Sequence, residues 1–289
     1  MSKPLFTGAC TALVTPFLNG DVNYPMAEQL LARQIEAGIE SVVIAGTTGE
    51  SPTLSDPEKI ELFRRCKSYV GDSCTVIAGT GSNCTAHAVT LSVAAEEAGA
   101  DAVLVVSPYY NKATADGLVA HYTAIAQAVH IPVLLYNVPS RTGVDIPVSV
   151  YQRLSAVPNI AGVKEASSDI TKIIRIRKAC GPDFEIWSGN DDQTVAAIAN
   201  GASGVISVLS NIYPMETNLM CHEALSGNLP AAAALQRHFL PLIDLLFCEV
   251  NPIPVKAAMQ CIGFDCGDCR LPLCPLTTEH QAQIVNYFA

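Results

Sequence analysis

Charged residues are scarce in this 289-residue chain, and positive charges are fewer than negative ones. Asp, Glu, Lys and Arg together make up 15 % of the sequence, and 27 acidic residues outnumber 17 basic ones. The resulting net charge of -10 argues against binding to nucleic acid or to an anionic membrane surface, because both require a basic patch. The low charge and a hydrophobic content of 49 % also exclude an intrinsically disordered chain.

Long uninterrupted apolar runs are missing as well. No segment approaches the ~18 apolar residues that a membrane-spanning helix requires. The N-terminal segment Met1–Phe6 has no sustained apolar core of the kind that a secretory signal peptide contains. These absences predict a cytoplasmic protein without a membrane partner.

Cysteine, by contrast, is abundant. Eleven cysteines run from Cys10 to Cys274, and this odd number indicates reduced thiols in a reducing compartment. In the C-terminal group of Cys261, Cys266, Cys269 and Cys274, one Cys-x2-Cys spacing also occurs in zinc and iron–sulfur sites. The fourth cysteine follows too soon for a ferredoxin pattern, and the histidines form no metal-binding pair. We therefore predict no metal, and we interpret the group as part of a connecting loop.

Short runs rich in β-branched residues recur along the chain, and each is followed by a helix-like segment. Continuous apolar runs, rather than alternating ones, are typical of strands buried on both faces of a parallel sheet. We therefore predict eight parallel strands, at Ala9–Phe17, Ser41–Ala45, Thr75–Gly79, Ala102–Val106, Pro132–Tyr136, Ile160–Lys164, Phe184–Trp187 and Gly204–Val208.

The segments between these runs are amphipathic and rich in alanine. The sequence Ser55–Glu58, a cap residue followed by Asp, Pro and Glu, is typical of a helix N-terminus. Gly99 and Gly181 lie where the end of a helix favours glycine. Repeated βα units with right-handed crossovers predict an α/β fold, the (β/α)8 TIM barrel. An open doubly wound sheet is the alternative, but no phosphate-binding loop follows the first strand.

No linker or low-complexity segment divides the chain. The repeats end near residue 226, and the remainder has the pattern of helices at Leu229–Phe247, Pro254–Ile262 and Thr278–Tyr287. We predict a catalytic barrel over residues 1–226 and a C-terminal helical extension over residues 227–289.

Polar side chains follow the predicted strands at the edge where barrels of this type carry their active sites. Lys164 closes an apolar strand and shares a face with Gly162, whose small size would leave room beneath a long side chain. An apolar barrel mouth favours the neutral amine, which can attack a carbonyl group to form a Schiff base. A lysine at a strand end can equally extend into solvent, and its position in the sequence does not separate the two interpretations.

The other strand ends supply complementary groups. The turn Gly46–Gly49 offers backbone N–H groups and two hydroxyls that suit a small carboxylate. Tyr110 and Tyr136 can relay protons, and Arg141 offers a planar fork for a second carboxylate. Taken singly, each group also suits an ordinary loop, a packed strand end or an exposed surface. Together they indicate a site that joins two small carbonyl acids by aldol-type chemistry.

Several motifs, and their order along the chain, resemble those of the dihydrodipicolinate synthase family. This family is a group of pyruvate-dependent class I aldolases that includes N-acetylneuraminate lyase. The resemblance runs essentially from end to end and implies a (β/α)8 barrel. It also implies condensation of pyruvate with L-aspartate 4-semialdehyde, in lysine biosynthesis, without a cofactor. The motifs are Gly46–Ser51, Tyr109–Asn111, Tyr136–Gly143, Gly162–Ser167 and Asn251–Lys256.

The resemblance implies catalytic roles for particular side chains. Lys164 would form the Schiff base with pyruvate, and Thr47 and Thr48 would hold the pyruvate carboxylate. Tyr136, Thr47 and Tyr110 would form a proton relay, with Tyr110 reaching across a dimer interface into the neighbouring site. The implied assembly is a homo-oligomer, commonly a tetramer built as a dimer of dimers.

The resemblance also implies the binding of the second substrate. Arg141 would bind the carboxylate of aspartate semialdehyde, while Gly189 and Ile206 would line the pocket. Within the family, Arg141 favours the synthase branch, because the lyase branch usually lacks an arginine at this position. A catalytically silent barrel is a third interpretation, but such a protein is expected to have lost Lys164 or Tyr136.

Lysine-inhibited members of this family bind lysine at the dimer interface. Lys59 stands where such an enzyme has His, and His87 stands where it tends to have Glu. A glutamate would pair with the ammonium group of the inhibitor, whereas a cationic Lys59 would repel it. We therefore predict weak or absent inhibition by lysine. Other positions that match the lysine site are Ser51, Leu54, Asn83 and Tyr109.

Overall fold

A closed parallel barrel dominates the computed structural model, which describes residues 4–289. The first three residues, which fall in the predicted barrel domain, lie outside this range. Eight strands of the described chain form the barrel, which confirms the (β/α)8 fold, and β2 and β3 form a short antiparallel hairpin. The strands are β1 Gly8–Ala12, β2 Phe17–Leu18, β3 Asp21–Val22, β4 Ser41–Ile44, β5 Thr75–Gly79, β6 Ala102–Val106, β7 Val133–Asn137, β8 Ile160–Glu165, β9 Glu185–Ser188 and β10 Gly204–Ser207.

Helices connect the strands and pack on the outside of the barrel. The α-helices are α1 Tyr24–Glu36, α2 Asp56–Val70, α3 Thr85–Glu97, α4 Ala115–Ala128, α5 Pro139–Thr142, α6 Val148–Leu154, α7 Ile170–Cys180, α8 Thr194–Ala199, α9 Pro214–Leu225, α10 Leu229–Leu246, α11 Ile253–Cys261 and α12 Thr278–Phe288. Short 3₁₀ helices lie at Ser51–Thr53, Asp191–Gln193 and Leu209–Asn211. Across residues 4–289, every helix is too short or too polar to cross a membrane.

The predicted strands match the observed ones to within one residue at each end, with the exception of the first. That strand was expected to continue to Phe17, but β1 ends at Ala12. Beyond it, the N–H of Val14 donates to the Asn211 side chain at 3.2 Å, and the N–H of Phe17 donates to the Cys266 carbonyl at 2.9 Å. Because these amides bond outside the sheet, the strand pairing cannot continue.

Helix ends follow the signals in the sequence. The Ser55 hydroxyl accepts a hydrogen bond from the Glu58 N–H at 3.4 Å, and the Glu58 carboxylate accepts one from the Ser55 N–H at 2.8 Å. This reciprocal pair starts α2 by satisfying two N–H groups that have no partner inside the helix. Gly99 and Gly181 follow α3 and α7 with φ angles of 92° and 79°, a conformation that glycine adopts without steric cost.

Alternate residues of the strands point into the barrel, where they form an apolar inner core around the Phe6 and Trp187 rings, which stack at 4.8 Å. Gly162 is required by a contact that the sequence did not predict, whereas the room that it was expected to leave beneath Lys164 stays a prediction. A Cβ atom at this position would lie 2.1 Å from the carbonyl oxygen of Glu185, so glycine is required where β8 approaches the backbone of β9.

A buried ion pair joins the C-terminal helices to the barrel. Lys256 of α11 places its Nζ 2.6 Å from a carboxylate oxygen of Glu50, in the loop that follows β4. The N–H of Arg270 donates to the other Glu50 oxygen at 2.9 Å, and Lys256 and Arg270 both contact the ring of Phe17. These contacts hold the residues after α9 against the barrel, whereas the predicted domain boundary at residue 226 stays a prediction.

Replacing Lys256 tests the energetic weight of this ion pair. We expect Lys256→Met to lower the free energy of unfolding by about 3–5 kcal/mol, because the Glu50 carboxylate would stay buried without its counter-charge. The matched control is Arg153→Met, which removes an exposed pair with Asp116 and should cost at most about 1 kcal/mol. Urea unfolding of both variants measures the difference, and equal losses would contradict the buried role of the pair.

Candidate active site

Lys164 and Tyr136 lie side by side at the carboxyl ends of β8 and β7. They are register partners in the parallel ladder, and the Lys164 Nζ lies 4.6 Å from the centre of the Tyr136 ring. The lysine is only 6 % exposed, so it does not extend into solvent as the alternative interpretation of its position allowed. A desolvated amine beside a phenol suits nucleophilic attack on a carbonyl, with a proton donor and acceptor within reach.

Two further predicted pocket residues, Gly189 and Ile206, lie around this pair. A Cβ atom on Gly189 would lie 2.9 Å from Cε of Lys164 and 2.6 Å from Cβ of Ala166. Glycine is therefore needed at the end of β9 to leave space for the lysine side chain. Ile206 is fully buried in the inner core, in the same apolar cluster as Tyr136.

Asp191 is a buried carboxyl in this region that the sequence analysis did not single out. One of its oxygens accepts hydrogen bonds from the N–H groups of Val208 and Leu209, at 2.8 and 3.0 Å. Desolvation raises the pKa of Asp191, while these hydrogen bonds and the positive charge of Lys164 oppose that rise. Asp191 thus orders the loop after β10 close to the lysine.

The turn after β4 has the form of a cradle. It is closed by hydrogen bonds from the N–H of Glu50 to the carbonyl of Thr47, at 3.1 Å, and from the N–H of Ser51 to the carbonyl of Gly46, at 3.2 Å. Among the described residues, the N–H groups of Thr47 and Thr48 have no acceptor. Adjacent unpaired N–H groups in a tight turn form a concave site for an anion.

Asn251, from the segment that precedes α11, contacts both predicted anion sites. Its side-chain amide donates to the Thr48 hydroxyl at 2.9 Å, and its backbone carbonyl oxygen accepts from the Arg141 guanidinium at 3.3 Å. Thr48 and Asn251 are buried, whereas Arg141 is exposed at the rim. Asn251 belongs to a family motif in the sequence, but its role could not be predicted there, because no local pattern links residue 251 to residue 48.

A cavity of about 480 Å³ opens at this end of the barrel. Thr47, Tyr136 and Arg141 line it, so the cradle, the tyrosine and the arginine face one space. That volume accommodates small carboxylic acids. Lys164 is not itself a lining residue of this cavity, but it contacts Tyr136, which is. The geometry therefore connects the predicted amine, cradle and arginine through Tyr136, whereas Tyr110 lies apart from them.

Tyr110 points away from the other candidate residues of its own chain. Its side chain is 90 % exposed, and its φ angle of 72° is uncommon for an aromatic residue. The neighbouring Tyr109 lines the cavity. A relay through Tyr110 is thus not formed within a single chain, and its predicted reach into a neighbouring site stays a prediction.

Most residues of the candidate lysine site line the same cavity. Ser51, Leu54 and Tyr109 are among its lining residues, while the backbone carbonyl oxygen of Asn83 accepts a hydrogen bond from the side chain of Asn111 at 2.9 Å. The two unusual residues of this region, Lys59 and His87, line the cavity as well.

Asp56 stands between Lys59 and His87. The His87 ring nitrogen Nε2 lies 2.8 Å from the Asp56 carboxylate, and the Lys59 Nζ lies 3.9 Å from it. Lys59 is buried, and burial lowers the pKa of its ammonium group. This arrangement places two basic side chains where an inhibitory lysine would bring a third.

The C-terminal cysteines do not form a recognisable centre. All of them are free thiols, with Cys266 buried, Cys269 partly buried, and Cys261 and Cys274 exposed. Within residues 4–289, no group of three or more His, Cys, Asp or Glu side chains is arranged to hold a metal ion.

Comparison with known proteins places this geometry in a family. The chain matches the model of the Dihydrodipicolinate synthetase family over residues 5–288. It is 47 % identical over 280 residues to the 4-hydroxy-tetrahydrodipicolinate synthase of Acetivibrio thermocellus, covering 97 % of this chain and 95 % of the relative.

Solved structures agree with this assignment. Dihydrodipicolinate synthase from Aquifex aeolicus superimposes with a TM-score of 0.96 at 39 % identity, covering 98 % of this chain and 97 % of that one. The enzyme from Cyanidioschyzon merolae, determined with lysine bound, gives a TM-score of 0.95 at 40 % identity, covering 99 % and 98 % of the two chains. With a matching family model, full-length relatives and a shared barrel, the chain belongs to the dihydrodipicolinate synthase family.

Proposed function

We propose that this protein is a carbon–carbon bond-forming lyase that condenses pyruvate with L-aspartate 4-semialdehyde. The product is 4-hydroxy-tetrahydrodipicolinate, and the reaction is the committed step of diaminopimelate and lysine biosynthesis. The observation that carries the proposal is the buried Lys164 amine beside Tyr136, which lines a cavity together with the anion cradle and an arginine. The full-length relatives named as synthases support the same substrates.

The reaction begins with attack of the Lys164 amine on the keto carbon of pyruvate, which forms an imine and releases one water. Loss of a proton from the methyl carbon then gives an enamine. Tyr136 and Thr47, with Tyr110 from a neighbouring chain, carry this proton and the protons of imine formation. The N–H groups and hydroxyls of Thr47 and Thr48 hold the pyruvate carboxylate.

The second half of the reaction joins the two substrates. The enamine carbon attacks the aldehyde carbon, and the aldehyde oxygen takes up a proton to become a hydroxyl. The amine of the semialdehyde then attacks the imine carbon, so the ring closes while the C–N bond to Lys164 breaks and the lysine is regenerated. Arg141 binds the semialdehyde carboxylate, and Gly189 and Ile206 shape the pocket. No cofactor takes part in these steps, because the imine formed on Lys164 accepts the electrons that are released when the methyl carbon loses its proton.

A related aldolase activity, such as that of N-acetylneuraminate lyase, would use the same Lys164 and Tyr136. It is the less favoured function, since Arg141 suits a second small carboxylate and the relatives reported above are named as synthases. We further propose a cytoplasmic homotetramer, a dimer of dimers, as the family resemblance implies. The exposed Tyr110 supports a site shared between two chains, because it lies apart from the other candidate residues of its own chain.

Chemical trapping tests the role of Lys164. Borohydride reduction in the presence of pyruvate should leave a covalent adduct on Lys164, because reduction makes the imine permanent. Peptide mass spectrometry locates the adduct. Lys164→Met should abolish both the adduct and the turnover, whereas Lys178→Met, which removes an exposed lysine of α7, should change neither. Absence of an adduct on the native protein would contradict the proposed mechanism.

Replacing Arg141 tests whether this residue binds the second substrate and not pyruvate. We expect Arg141→Leu to raise the KM for aspartate semialdehyde by about 10- to 100-fold, the loss of a charge-assisted hydrogen bond of about 1.5–3 kcal/mol. Trapping of pyruvate should be nearly unchanged, since the pyruvate carboxylate binds elsewhere. Arg175→Leu, at an exposed arginine of α7, is the control. An equal rise in the KM for pyruvate would show that Arg141 does not distinguish the substrates.

Inhibition by lysine should be weak or absent. The buried Lys59 repels the ammonium groups of the inhibitor, and His87 already contacts Asp56. The double variant Lys59→His with His87→Glu should become more sensitive, and Lys178→His should behave like the native protein. Initial rates in a titration with L-lysine measure this, and strong inhibition of the native protein at micromolar lysine would refute the prediction.

A further inference from the structure

A polar network lies behind the reacting pair, on the outward face of the same two strands. Asn137 follows Tyr136, Glu165 follows Lys164, and the two are register partners. The amide nitrogen of Asn137 donates to both Glu165 oxygens, at 2.9 and 3.1 Å. Because side chains alternate across a strand, this contact ties the strands together directly behind the residues that face the barrel interior.

The Glu165 carboxylate is saturated with hydrogen-bond donors. It is 3 % exposed, and it also accepts from the N–H of Ser167 at 2.9 Å and from the hydroxyl of Tyr151 at 3.1 Å. The ammonium of Lys172 lies 3.8 Å away. Burial, together with the charge of Glu165, holds the pKa of Tyr151 well above its usual range, so this phenol remains a donor.

The same network reaches the segment that carries Arg141. The Asn137 amide nitrogen donates to Asp145 at 2.9 Å, and its amide oxygen accepts from the N–H of Ile146 at 3.0 Å. Asp145 in turn forms an ion pair with the buried Lys172. The Asn137 side chain thus contacts Glu165 in β8, the strand that carries Lys164. It also anchors the loop at Asp145, which follows the helix that carries Arg141.

Stability alone is a poor explanation for this arrangement. Two carboxylates and one ammonium come together on a largely buried face, where desolvation offsets much of their attraction and apolar residues often serve as well. What such a network provides is a single geometry, since every donor and acceptor has a fixed partner. Asn137 and Glu165 face away from the barrel interior, behind Tyr136 and Lys164, so the network does not touch substrate itself.

We propose that the Asn137 network, formed by Asn137, Asp145, Tyr151, Glu165 and Lys172, is a positioning device for the proposed reaction. It holds the Lys164 amine against Tyr136 through the strand pair, and it holds Arg141 at the cavity through the Asp145 loop. These are positioning residues, and the inference rests on the proposed function of Lys164.

Asn137→Ala tests this inference, because it removes the contacts to both Glu165 and Asp145. We expect the rate of borohydride trapping with pyruvate to fall about tenfold or more, since small misplacements of reacting groups carry penalties of this size. The KM for aspartate semialdehyde should rise together with the fall in kcat, as the Arg141 segment loosens. Tyr151→Phe, which keeps the ring and removes a single hydroxyl, should produce a smaller decrease of the same kind.

Asn159→Ala is the matched control. Asn159 lies at the opposite end of the same strand pair, and its amide donates to the carbonyls of Ala126 and Val129 at 2.8 and 3.0 Å. This variant should lose stability but keep the native trapping rate per folded molecule, with folded fractions measured by circular dichroism.

The outcomes distinguish this inference from the proposed function. Slow trapping in Asn137→Ala and Tyr151→Phe, beside native trapping in Asn159→Ala, supports positioning. If Asn137→Ala folds and traps pyruvate at the native rate, or if Asn159→Ala slows trapping equally, the positioning role is refuted while the Schiff-base mechanism stands. If the native protein itself gives no adduct, the proposed function fails and takes this inference with it.

Discussion

The parallel pairing of β7 with β8 is the interaction on which the site depends. This pairing places Tyr136 opposite Lys164, and Asn137 opposite Glu165. Because successive side chains alternate, the first pair faces the apolar interior and the second pair faces the helices. A shift of one residue in this register would exchange the two sets, leaving a carboxylate in the barrel and the amine outside. The chemistry of the site is therefore a consequence of strand register.

The C-terminal segment completes what the barrel alone leaves open. The loop after β4 projects from the barrel rim, and its conformation includes Glu50 in the left-handed region. Lys256 neutralises the carboxylate of Glu50, and Asn251 contacts both Thr48 and Arg141. A helical extension that appears peripheral in the sequence thus shapes the surface on which two anionic substrates would bind.

The charge distribution of the chain also shows why local loop conformation matters for substrate binding. The chain carries a net charge of -10, so its overall field repels anionic substrates rather than attracting them. Attraction must come from local groups: the unpaired N–H groups of the cradle and the guanidinium of Arg141. For substrate binding, the conformations of the turn after β4 and of the segment that carries Arg141 therefore matter more than the composition of the surface.

Local patterns in the chain were sufficient to predict the barrel, because buried parallel strands are marked by continuous β-branched runs and helix ends by Ser55 and Gly99. They failed at the end of β1, where the amides of Val14 and Phe17 bond to residues distant in sequence. The candidate site was predictable insofar as its residues follow strands and match a family motif. Only the tertiary structure could decide the purpose of Gly162, the contacts of Asn251 and the Asn137 network. Each of these depends on which distant backbones and side chains approach one another, and no periodicity along the chain encodes that information.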